Sequence, residues 1–106
     1  MPLTPALSSA LRTLSRAAEL VRAIDPRATI RLGHDGRVWR ADAAVSHDWL
    51  MPRLGAGDGA TVEAAVDGLL ASLVRTAHRR IDEYRRELDD DELQAEADTL
   101  EGMVSA

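Results

Sequence analysis

A chain of 106 residues with 18 acids against 13 arginines, a net charge of -5, is long enough for one domain and too short for two. It has no cysteine, which excludes a disulfide framework and thiolate zinc ligation, and with no Phe, one Tyr and two Trp it offers few large core anchors. No run of about 18 apolar residues occurs, and residues 1–10 hold no basic segment followed by an apolar one, so neither a membrane span nor a secretory leader is expected and the cytoplasm is the expected compartment.

The charge is uneven. Residues 1–53 hold 8 Arg against 5 acids, and residues 54–106 hold 5 Arg against 13 acids. From Glu87 onward eight acids stand without a single base. One domain over residues 1–106 is expected, with 89–106 as an acidic helical tail.

Thr4 is suited to cap a helix, and Pro5 has the backbone angle of a first helical position. Leu7, Leu11, Leu14, Ala18, Val21 and Ile24 recur at helical spacing, which predicts a helix over residues 5–23. Asp25 precedes Pro26, a geometry that disfavours helix and ends it.

Asp35-Gly36 then lies between two strand-like stretches, 28–33 and 37–43, and predicts a β-hairpin. A two-residue loop centred there sets Leu32 opposite Trp39 and Ile30 opposite Ala41, with Ile30, Leu32 and Trp39 facing the helices. Arg31 then stands opposite Arg40 on the outer face, a like-charge pair that calls for an anion between them, with Arg37 and Arg53 as neighbours. Residues 44–59 read as a connection, with one helical turn at 47–51 and a flexible glycine segment from Leu54.

Val62, Val66, Leu69, Leu73, Ala77, Ile81, Tyr84 and Leu88 form a single stripe, predicting a helix over 61–88 about 42 Å long. A second stripe at Leu93, Ala97, Leu100 and Val104 follows a cap at Asp90 or Asp91. The expected class is therefore α+β: a helix, a two-stranded antiparallel hairpin, a long helix and a short acidic helix.

No catalytic, cofactor or metal site is expected. The pairs His34-Asp35 and His47-Asp48, and His78 with Asp82, suit turn and cap chemistry better than metal ligation. The segment Gly55-Ala-Gly-Asp-Gly lacks the Lys-Ser/Thr ending of a phosphate-binding loop. No nucleophile stands in a recognisable setting.

What remains is binding. The expected function is a non-enzymatic protein–protein interaction module, homodimeric through the distal seam of Ile81, Tyr84 and Leu88. That seam has two candidate covers, the chain's own 93–104 segment or a second copy, and the second copy is the expected one. The alternative is a small inhibitor whose acidic run, Asp89, Asp90, Asp91 and Glu92, mimics nucleic-acid phosphate toward a basic protein. In charge pattern alone that strategy is similar to antirestriction and anti-CRISPR inhibitors. Direct nucleic-acid binding and a cofactor are not expected; the partner is another protein.

Overall fold

The computed structural model describes residues 5–45 and 53–105, Ala6 by its backbone alone. The helical turn expected at 47–51, with His47, Asp48 and Trp49, lies outside the described residues. In chain order the elements are α1 (Pro5–Ile24), β1 (Ala28–His34), β2 (Trp39–Val45), β3 (Gly55–Gly59), α2 (Val62–Arg86) and α3 (Asp91–Ser105). The α+β class is as expected, but the sheet has three antiparallel strands in the order β1-β2-β3 rather than two.

The hairpin turns one residue later than expected. Gly36, with φ at 95°, holds the first of the two tip positions, where a side chain would be strained. The Asp35 carboxylate accepts from the backbone N–H groups of Arg37 at 2.9 Å and Val38 at 3.0 Å, and His34 Nδ1 accepts from Gly36 N at 3.1 Å. Moving the centre by one residue moves the pairing by two, so Leu32 faces Ala41, Ile30 faces Ala43 and His34 faces Trp39. Because side chains alternate with a period of two, each residue keeps its expected face while its partner changes.

This turn is sensitive to acid. The N–H groups of Val38 and Arg37, with the Arg40 guanidinium nearby, hold the Asp35 carboxyl below its ordinary 3.8. A group whose folded value is depressed contributes stability that is complete above its unfolded value and lost as pH falls through the folded one. The Arg37 and Val38 amide resonances are therefore expected to titrate with a midpoint below 3.8. A midpoint at or above that value in an NMR titration would show that the carboxylate does not hold the turn.

The glycine segment expected to be a flexible linker is β3. Gly55, Gly57 and Gly59 pair with Ala43, Ala41 and Trp39, and so share the inner face of the sheet. Across that face the side chains shrink from β1 to β3, in the rows Ile30, Ala43, Gly55 and Leu32, Ala41, Gly57. The missing side chains let α2 lie directly on the β3 backbone. A Cβ built on Gly68 of α2 would stand 3.1 Å from the Gly57 Cα. A strand with so low an intrinsic β-propensity is held by this close packing and by its ladder to β2.

Thr61 caps α2, accepting from Ala64 N at 3.1 Å. The helix is the centre of the molecule, touching β3, β2, α1 and α3. Its expected stripe is buried from Val66 through Ile81, joined by Ala65 and Thr76. The Thr76 hydroxyl donates to the Leu54 carbonyl and so ties the entry of β3 to the helix.

α1 buries Ala10, Ala17, Leu20, Val21 and Ile24 rather than the full predicted stripe, and Leu7 and Leu11 stay exposed. Leu32, expected in the core, is 41% exposed, while Ile30 and Trp39 are half-buried against the core. The reason is which strands the helices cover: α2 packs on β3 and β2, whereas α1 touches β1 only sparsely.

α3 folds back on α2 and buries Ala97 and Leu100 in the common core with Ile81. Of the two covers considered for the distal seam, the chain's own segment is the one present, and it half-buries Tyr84 as well. Leu88 is not part of the covered seam, because α2 ends at Arg86 and Leu88 falls in the turn. The molecule is elongated, 51 × 31 × 18 Å. Among the described residues no helix is long and apolar enough to cross a membrane.

Candidate interaction surfaces

Alternation along the strands puts Arg31, Arg40, Asp42, Ala56 and Asp58 on the outer face of the sheet. The like-charge pair expected between Arg31 and Arg40 does not form. Sliding the register by two residues sets Arg31 opposite Asp42, with Nε 3.6 Å from Oδ1, and Arg40 reaches Asp35 at 3.3 Å. Across β3, Arg40 also stands opposite Asp58. The Asp42 Oδ1 atom is enclosed and accepts no hydrogen bond among the described residues, and the Arg31 guanidinium is its ion-pair partner. A depression of about 300 Å³ opens here, lined by Arg40 and Arg53 together with Asp42 and Asp58. Two bases and two acids leave it close to neutral.

The second surface is the turn between α2 and α3. Asp90 caps α3, its carboxylate accepting from Leu93 N at 3.1 Å, and Asp91 and Glu92 occupy the first helical turn, where the exposed N–H groups favour negative charge. Gln94 reaches back to the end of α2, its side-chain amide donating to the carbonyls of Tyr84 at 2.8 Å and Glu87 at 2.9 Å. Arg85 donates to Gln94 Oε1 at 3.0 Å, to Glu101 at 3.0 Å and to Asp98. Two of the eight tail acids thus share one arginine within the chain and a third is a cap.

The expected residues Leu88, Asp89, Asp90, Asp91 and Glu92 are brought together at this tip, around a concave surface of about 510 Å³ that Arg86 and Glu87 also line. Leu88 is 80% exposed there. Ile81 and Tyr84 are not there; they lie under α3. Sequence reasoning missed Arg85 and Gln94. The available signal was a lone polar amide in a run of acids, beside a stripe that asked for a helical hairpin.

The remaining polar candidates are placed without a shared centre. His34 and Asp35 hold the hairpin turn, and His34 also packs edge-on against Trp39 with ring centroids 5.0 Å apart. His78 and Asp82 are exposed on α2. Among the described residues no three His, Asp or Glu side chains gather closely enough to hold a metal ion. Comparison with protein-family models, with curated proteins and with solved structures finds no match.

Proposed function

We propose that this chain is a non-enzymatic protein–protein interaction module that binds its partner through the α2–α3 tip. The observation that carries the reading is Leu88, a large apolar side chain 80% exposed in a concavity that it shares with five acids, Glu87, Asp89, Asp90, Asp91 and Glu92, and one base, Arg86. An isolated exposed leucine is ordinary, but one amid a predominantly acidic surface matches an apolar socket rimmed by Lys or Arg. In such an interface the buried side chain supplies affinity, and the rim charges supply registration and a salt-dependent on-rate. The partner is accordingly a protein with a basic surface. A homodimer is a separate part of the proposal and does not use this tip, because a twofold contact there would set its carboxylates against their own copies.

The alternative, mimicry of nucleic acid, needs carboxylates spaced and free along the tail helix. Arg85 removes Asp98 and Glu101 from that set. It therefore ranks second.

Affinity purification from the native host separates the readings. A partner recovered with the wild-type chain is expected to be lost at least tenfold with Leu88→Asp, and more weakly with Asp89→Asn and Glu92→Gln, each variant remaining folded because these side chains are exposed. Equal recovery with Leu88→Asp sinks the tip as the binding surface. Loss with the charge variants alone favours mimicry. Sedimentation at micromolar concentration tests the homodimer, which falls if the wild-type chain stays monomeric.

A further inference from the structure

Outside the tip, the fold gathers arginines that the sequence keeps apart. Arg53 enters β3, and Arg75 and Arg79 stand one helical turn apart on the face of α2 that flanks the edge of that strand. The three line one groove of about 540 Å³, and among the described residues that line it none is a carboxylate. Arg31, Arg40 and Arg85 each lie against an acid, but among the described residues none of these three does. Asp82 and Glu83, the next acids along α2, pair with none of them. Arg53 also borders the outer-face depression, where Asp42 and Asp58 stand, so it faces carboxylates on that side and arginines on this one.

The groove is also built. The Arg79 guanidinium is steadied by a hydrogen bond to Thr76 Oγ1 at 3.3 Å, and that hydroxyl is itself held by the Leu54 carbonyl. Ser72 accepts from Ala56 N at 3.2 Å and fastens the strand edge to the helix beneath the arginines. We infer that the groove formed by Arg53, Arg75 and Arg79 binds a compact phosphate-bearing anion. Three guanidinium forks around one opening match the several oxygens and multiple charge of a phosphate monoester or diphosphate, whereas a single carboxylate would leave two charges unbalanced. The volume lies in the range of small-ligand sites. A long polyanion fits worse, because the acidic tip begins at Glu87, eight residues or about 12 Å beyond Arg79, and repels it there. Gathered in one groove with no ion pair among the described residues, the three arginines repel one another, a cost the anion removes.

The test uses inorganic pyrophosphate as probe, at low ionic strength. Backbone resonances of Ala56 and of α2 between Ser72 and Arg79 are expected to shift saturably, and the melting temperature to rise. The Arg75→Ala/Arg79→Ala variant, exposed positions where alanine favours helix, is expected to stay folded and to bind at least tenfold more weakly. Arg53→Gln, outside the helix, should give a similar loss, and Arg12→Ala none. Shifts reproduced by chloride at equal ionic strength, or affinity unchanged in both groove variants, would overturn the inference. So would tighter binding of a single-stranded oligonucleotide with a salt dependence corresponding to more than three phosphate contacts, because more arginines than these would then be engaged.

Discussion

Gly57→Ala is expected to destabilise the protein by about 3 kcal/mol, read as a lower midpoint in urea with an unchanged slope. The added methyl group would overlap the backbone nitrogen of Leu69 and the carbonyl oxygen of Ala65, and would stand 2.5 Å from the Gly68 carbonyl carbon. These are helix backbone atoms and cannot rotate aside. Relief requires α2 to lift from β3, which opens the packing of Leu69 and Leu73 on the same helix. Two other glycines serve as controls, since a methyl group at Gly33 or Gly102 meets nothing within 4 Å. Gly102→Ala, inside α3, should raise stability by about 0.5–1 kcal/mol through helix propensity. A loss below about 1 kcal/mol at Gly57, smaller than overpacking ordinarily costs, would mean that β3 does not lie against α2 as described.

Leu100→Ala is expected to cost about 3 kcal/mol, within the range for deleting a fully enclosed leucine side chain. The effect should be local in character. α3 has only Ala97 and Leu100 fully buried, supported by half-buried Met103, Val104 and Leu93. Removing its one large buried anchor leaves the helix held chiefly by the hydrogen bonds of Gln94 and the ion pairs of Arg85, and ion pairs so near the surface contribute little. Hydrogen exchange is therefore expected to accelerate along α3 and at Ile81 and Tyr84 while the middle of α2 keeps its protection. Uniform acceleration over the whole chain would show instead that α3 and the sheet unfold as one unit. Normal protection in α3 with a loss below about 1 kcal/mol would place Leu100 outside the core.

These two positions also mark where the sequence was legible and where it was not. The helices could be read because their signals are local: Pro5 at the start of α1, Asp25-Pro26 after it, Thr61 before α2 and Asp90 before α3. The stripe from Val66 to Ile81 identified the buried face of α2 because one helix packed on several sides must carry such a stripe. β3 could not be read, since a Gly-Ala-Gly-Asp-Gly strand has the composition of a linker. Its strand character comes from the α2 backbone lying against it and from the β2 ladder. Asp35-Gly36 located the hairpin correctly, but the capping of Arg37 and Val38 by the Asp35 carboxylate decided which pair of residues forms its tip. That choice turned an expected Arg31–Arg40 repulsion into two ion pairs with Asp42 and Asp35.

The candidate surfaces divide in the same way. The acidic run at residues 87–92 was visible as a run, yet whether it was a cap, a covered seam or an exposed tip depended on α3 turning back. Arg53 was expected beside Arg31 and Arg40, and its grouping with Arg75 and Arg79 was hidden because more than twenty residues separate it from them. By itself the sequence determined the α+β class, the helix limits to within a few residues, the faces of the hairpin and the polarity of the charge, because each follows from local propensity or from periodicity. The third strand, the strand register, the cover over Ile81 and Tyr84, and the clustering of the arginines were decided only by the tertiary structure. Each depends on which distant backbone and side chains come to lie beside it, and no local pattern encodes that distance.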